Sequence, residues 1–214
     1  MKFISLGRHC DIAHNIKLYN TDQPMTNFFD WLRTDFSSIL QILNIGNIDK
    51  IFNKQNFIID KKSYAHENNI GITFKNFEAN KMCCLSHHDI ILRNYSNEEM
   101  DKQLNEFIEK YKRRFHRLIE MIKSNEKLIF IHKSYWFNES HVDDFKNAIL
   151  KINKNAIFYL VVLVDQPNDW VVNKKGNYLK ININKLINKN IKTEWHNPQI
   201  NWPALFSIIT KNTV

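Results

Sequence analysis

Strands and helices alternate through the last hundred residues of this chain, which predicts an α/β layered fold: a mainly parallel, Rossmann-like sheet flanked by helices. Three observations carry that reading. Met100, Leu104, Phe107, Ile108, Tyr111, Phe115, Leu118, Ile119 and Ile122 recur at spacings of three and four, the pattern of a long helix with one apolar face, from Asn97 to about Ser124. Leu128-Ile129-Phe130-Ile131 follows as a strand and leads into a helix through Val142, Phe145, Ile149 and Ile152. Ile157 to Val164 is then an unbroken apolar run, as expected of a strand buried on both faces.

The remaining elements follow in chain order. Residues 2–6 read as a first strand, and Cys10 to about Tyr19 as a helix with Ile12, Ala13, Ile16 and Leu18 as its apolar positions. Asn20 to Pro24 is a turn region. Phe36, Ile39, Leu40 and Leu43 mark a further helix, with Thr34 or Asp35 as N-cap. Residues 44–80 give no clean pattern. Phe57-Ile58-Ile59 and Ile72-Thr73-Phe74 read there as short strands, and the segment suits an insertion or lid on a single domain. Tyr178 to Ile183 reads as another strand, and Trp202 to Ile209 as a closing helix after Pro198.

Composition narrows the function classes. Hydrophobic residues at 43% and aromatics at 13% fit a chain that buries a core. No apolar run is long enough to span a bilayer, and the N-terminus is too short for a signal peptide, so a cytoplasmic protein is expected. The net charge of +8 comes from scattered lysines without a basic arm, which ranks nucleic acid below an anionic small molecule as partner. The three cysteines, Cys10, Cys83 and Cys84, form neither a disulfide framework nor a Cys-x-x-Cys pair. Reduced thiols, no metal and no cofactor are therefore expected, and oligomeric state is not readable.

The first strand ends at Ser5-Leu6-Gly7, and the first helix opens near Cys10. A cysteine at that junction meets the backbone N–H groups and positive dipole end of a helix, a setting that favours the nucleophilic thiolate. The competing reading is a small apolar residue under the helix. A phosphatase loop would need arginine six residues after the cysteine, where Ile16 stands. Gly7-Arg8 ahead of a helix is also a place where α/β folds hold phosphate, although no Gly-x-Gly-x-x-Gly is present. His87-His88-Asp89 places a carboxylate beside imidazole, which fixes a tautomer and raises basicity. In an extended segment only one of the two histidines can face a given site. Arg113 and Arg117 share a helix face and could grip one anion, against the plainer reading of a solvated basic face balanced by Glu109 and Glu120.

Ser5-Leu6-Gly7-Arg8-His9-Cys10-Asp11-Ile12-Ala13, Phe29-Asp30-Trp31, His88-Asp89 and Tyr111-Lys112-Arg113-Arg114-Phe115-His116-Arg117 occur in that order. Together with Leu128-Ile129-Phe130-Ile131, Trp195 and Trp202, they resemble an uncharacterised family named as papain-like cysteine peptidases. That family is known from large DNA viruses and bacterial surface-polysaccharide gene clusters. The resemblance implies Cys10 as nucleophile, His88 as its base, and Asp89 or Asp30 orienting the imidazole. Gly7, Arg8, His9, His87, Arg113 and Arg117 are then the candidate substrate-binding residues. The chain departs from the family pattern at Asn27-Phe28, where proline is common, and at Ile90, where an aromatic residue is usual.

The papain label implies a histidine on an antiparallel barrel, whereas the periodicity implies a parallel sheet. Such a sheet can also expose a nucleophile at a strand–helix turn. The expected activity is a cysteine-dependent hydrolase or acyl transfer on a peptide or on an amide or ester of a glycan precursor. The alternative is a surface-polysaccharide transferase that binds a nucleotide-sugar or phosphorylated substrate, with Cys10 structural. A non-catalytic scaffold is the third reading.

Overall fold

The computed structural model describes residues 1–8, 10–19, 26–60, 71–74, 84–85, 96–135, 137–167 and 170–213, with the backbone alone for Arg33, 56–60, 71–74, 84–85 and Met100. Five strands form the main sheet: β1 (Lys2–Ser5), β6 (Leu128–Lys133), β7 (Phe158–Val164), β9 (Tyr178–Asn182) and β8 (Val172–Lys175), side by side in that order. The first four run parallel, and β8 pairs antiparallel with β9. The parallel α/β expectation therefore holds, and the antiparallel barrel of the papain label is not the architecture. The edge strand β8 lay outside the sequence reading because three of the four residues of Val172-Asn173-Lys174-Lys175 are exposed and it carries little apolar signal. Glu139 ties that edge down, accepting from Lys180 at 3.0 Å and Lys175 at 3.4 Å.

Helices cover both faces, and the alternation along each strand decides which residues meet which layer. Ile4, Leu6, Leu128, Phe130, Leu160 and Val162 point into one core, with α2 (Phe36–Ile45), α4 (Asn97–Lys123) and α5 (His141–Ile152). Phe3, Ile129, Ile131, Val161, Leu163 and Ile181 point into the other, with α1 (Cys10–Tyr19) and α6 (Trp202–Thr213). Strand β7 is buried at six of its seven positions, as its continuous apolar run requires.

Local signals set the helix ends. Asp35 caps α2, its Oδ1 accepting from Ser38 N at 2.8 Å. Thr34, the other candidate, instead donates its hydroxyl to Leu6 O at 3.0 Å. Ser96 and Glu99 form a reciprocal capping box at the start of α4. In α1, Leu18 is 56% exposed, contrary to its place in the apolar stripe. It sits two residues, some 200° of helical turn, beyond the buried Ile16 and so faces away from the sheet.

Within 44–80, a short helix α3 (Ile48–Ile51) precedes an antiparallel pair, β3 (Phe57–Asp60) with β4 (Gly71–Phe74), that stands apart from the main sheet. A second two-stranded pair joins β2 (Leu32–Arg33) to β5 (Cys84–Leu85).

Phe28, which occupies a departure from the family pattern, is fully buried and makes edge-on contacts with Phe29, Phe52, Tyr111 and Phe115. This cluster fastens the segment after α1 to α4. Edge-to-face pairs contribute about 0.5–1.5 kcal/mol each beyond burial. Phe28→Leu keeps most of the volume and loses those contacts, so it is expected to lower stability by about 2 kcal/mol, read from the denaturant midpoint at unchanged slope. An unchanged midpoint would show that the cluster is not cooperative.

Candidate active site

The carboxyl ends of β1 and β6 lie side by side, and the site is built where the chain leaves them. Pairing runs past β1, with Leu6 N donating to Ile131 O at 2.8 Å. The backbone then turns through two successive left-handed residues, Gly7 at φ 77° and Arg8 at φ 71°. Gly7 is required there twice over. A Cβ would stand 2.5 Å from Leu32 O and against Thr34 Oγ1, in a conformation that L side chains avoid. Ser5 Oγ accepts from Gly7 N at 3.2 Å, and Arg8 N donates to Leu32 O at 3.0 Å. Arg8 sits in that conformation without glycine's freedom, the kind of backbone strain that clusters at functional sites. Its Nη1 reaches Ser134 Oγ, just beyond β6, at 3.5 Å.

Cys10 opens α1 directly after this turn and is half-buried. The next residue, Asp11, is fully buried and received no role in the sequence reading. Its Oδ2 accepts from Lys133 Nζ at 2.8 Å, and Lys133, the last residue of β6, is itself buried. Asn197 Nδ2 donates to the same oxygen, and Ile12 N donates to Oδ1 at 2.9 Å. One helical turn later, Asn15 Nδ2 donates to Asp11 O at 2.7 Å and to His196 O at 3.0 Å. Residues 122 and 186 positions away in the chain thus converge on the carboxylate beside Cys10. The electrostatic consequence is direct. The Lys133 ammonium cancels the charge of the Asp11 carboxylate, which belongs to the residue following Cys10 in the chain.

Cys10, His14 and Lys17 follow one another at helical spacing and are all half-buried. Lys17 Nζ lies 5.0 Å from the Trp31 ring centre, donates to Thr26 Oγ1 at 2.8 Å and approaches Asp30 at 4.0 Å. His14 packs against Trp195 and His196, with ring centres 5.0 Å and 5.4 Å away. Burial, then the neighbouring His196 and Lys17, hold its imidazole below the ordinary histidine pKa, so it is neutral at neutral pH.

The other predicted residues fall in three places. Asp30 is buried, and its Oδ2 accepts from Asn27 N at 2.8 Å, capping the turn that carries Phe28 and Phe29. On α4, Arg113 is exposed, and Arg117 donates to Thr26 O at 3.0 Å. Between them, Arg114 is buried with its guanidinium over the Tyr111 ring. His9, His87, His88 and Asp89 lie outside the described residues.

Lys133 and Asn197 escaped the sequence reading, and Asp11 entered it only as part of the motif around Cys10, although a signal existed for Asp11 and Lys133. Asp11 and Asn15 are polar residues four apart beside the apolar Ile12 and Ile16, and Lys133 closes an otherwise apolar strand. Among the described residues no group of three or more His, Cys, Asp or Glu is placed to hold a metal ion, and no helix is long and apolar enough to cross a membrane.

Residues 1–167 match the family described as "Putative papain-like cysteine peptidase (DUF1796)". The chain is also similar to "Uncharacterized protein R408" of Acanthamoeba polyphaga mimivirus, with 24% identity over 225 residues that cover 95% of this chain and 96% of that protein. No solved structure matches it.

Proposed function

The chain belongs to the family described as "Putative papain-like cysteine peptidase (DUF1796)", and from that premise we propose that it is a cysteine-dependent hydrolase whose nucleophile is Cys10. The observation that carries the reading is the placement of Cys10: first residue of a helix, directly after a strained turn at the carboxyl edge of a parallel sheet, beside a carboxylate neutralised by Lys133. In the proposed reaction the thiolate sulfur bonds to a carbonyl carbon while first-turn amides of α1 stabilise the oxyanion. His88, the base by resemblance, gives a proton to the departing amine or alcohol. Water then cleaves the thioester with the same imidazole taking its proton, which regenerates the thiol. Asp89 is the orienting carboxylate of this proposal, because Asp30 is engaged by Asn27 N and Lys17. The substrate is a peptide in the first instance, with an amide or ester on a glycan precursor as the other acyl donor of the same chemistry. Arg8 would hold the substrate at the sheet edge, in reach of the β6 terminus.

The test is the pH dependence of Cys10 alkylation by iodoacetamide, with Cys83 and Cys84 replaced by serine. A thiolate that titrates well below the unperturbed value of about 8.5, and shifts in His88→Ala, is the expected result. Cys10→Ala is expected to abolish hydrolysis of a peptide or ester substrate without loss of fold. An ordinary, slowly reacting Cys10 would overturn the proposal.

A further inference from the structure

Residues 188–199 leave the body of the protein and return to the same point. Ile187 and Ile200 form an antiparallel bridge at the base, where Asn188 N donates to Gln199 O at 2.8 Å and Asn201 N to Leu186 O at 2.9 Å. Asn188 to Trp195 are all exposed, so this strap buries little apolar surface. Segments of that kind detach at low free energy without unfolding the rest. Side chains fix the strap to α1: Asn15 Nδ2 donates to His196 O at 3.0 Å, and Asn197 Nδ2 donates to Asp11. The His14 ring packs on those of Trp195 and His196, at 5.0 Å and 5.4 Å between centres. From α6, Trp202 Nε1 donates to Asn197 O at 3.0 Å.

Two imidazoles in contact tolerate one proton between them and repel one another with two. Burial, then His196, then Lys17 hold His14 below the ordinary histidine value of 6.5. Glu194 Oε2 lies 3.6 Å from His196 Nδ1 and pairs with that ring when it carries a proton. The other titratable and charged groups around the contact are Cys10 and Lys17 on α1, Asp30, which Lys17 approaches to 4.0 Å, and the Asp11–Lys133 pair that Asn197 touches. We propose that residues 188–199 form an acid-released strap on α1, with the His14–His196 contact as its catch. Once the strap is off, His14 is solvated and takes a proton more readily, so the open form binds more protons than the closed one. By linkage the closed form loses population as pH falls through the window below 6.5, at up to about tenfold per pH unit for one proton. Release takes Asn197 from Asp11 and His196 O from Asn15, and so loosens the first turns of α1, which Cys10 opens. The catch works whatever reaction Cys10 serves.

The test is hydrogen exchange of the full chain, followed by mass spectrometry from about pH 5 to about pH 8, the range in which histidine titrates, with exchange times scaled for the intrinsic effect of pH. Protection of 188–200 is expected to fall below pH 6.5, by up to about tenfold per pH unit, while β6 and β7 keep theirs. His14→Phe keeps a ring in place and His14→Gln keeps a polar side chain, and neither takes a proton. Protection of the strap should therefore be flat with pH in both variants. A strap that loses protection on acidification equally in the parent and in both variants would overturn the proposal. So would a parent strap that is flat across this range, or a loss shared equally by β6 and β7, which is acid unfolding of the whole chain. Backbone amides are the readout, so the outcome is separate from the reactivity of Cys10.

Discussion

Lys133→Met is expected to destabilise the protein by about 3–5 kcal/mol, because it leaves the Asp11 carboxylate buried without its cation. Asp11 is fully buried and Lys133 nearly so, and neither has water to fall back on. Against a typical total of about 5–15 kcal/mol, that loss is a large fraction of the stability. Asp11→Leu should cost a similar amount from the other side, and the double substitution should recover most of it, since a hydrophobic pair replaces a buried ion pair at little net cost. Asn197 loses its acceptor in the double variant, so the recovery is incomplete. Denaturant unfolding of the four proteins gives the coupling directly. Independent, additive losses would show that the pair is not the unit it looks to be. The same set carries a chemical readout: with Lys133 gone, the uncompensated carboxylate next to Cys10 should raise the pH at which the thiolate forms, and the double variant should restore it.

Gly7→Ala is the second large effect. The left-handed conformation alone costs an alanine about 1–2 kcal/mol, and the new Cβ also meets the Leu32 carbonyl and Thr34 Oγ1. Leu32 O cannot swing aside, because it accepts from Arg8 N and its strand β2 is paired with β5. The expected result is a loss well beyond the conformational term, with little soluble protein or a sharply lowered melting temperature. Thr34→Ala in the same chain should not rescue it, because the backbone oxygen stays in place. A Gly7→Ala protein within about 1 kcal/mol of the parent would mean that the 29–34 segment is free to move off the turn, and the tight junction would have to be abandoned.

Much of the fold was legible because hydrophobic burial is periodic. The stripes of α4 and α5 and the continuous apolar runs of β6 and β7 name their own secondary structure and layer, and the outcome agrees with them nearly residue by residue. What escaped has physical reasons. The edge strand β8 buries too little to leave a pattern, and the exposure of Leu18 follows from an angle of helical turn that a list of apolar residues does not contain. The strand–helix junction at Cys10 was legible too, because Gly7 and the change of periodicity mark it locally.

The sequence by itself therefore determined the parallel α/β layering, the helix that Cys10 opens, and a cap for α2 at either Thr34 or Asp35. Only the tertiary structure decided that Asp11 is buried, that Lys133 and Asn197 meet on it, and that Trp195 stands beside His14. Each of those contacts joins residues more than a hundred positions apart through the polar groups or rings of single side chains. Such pairings carry no repeating pattern along the chain and appear once the packed sheet has brought its carboxyl edge together.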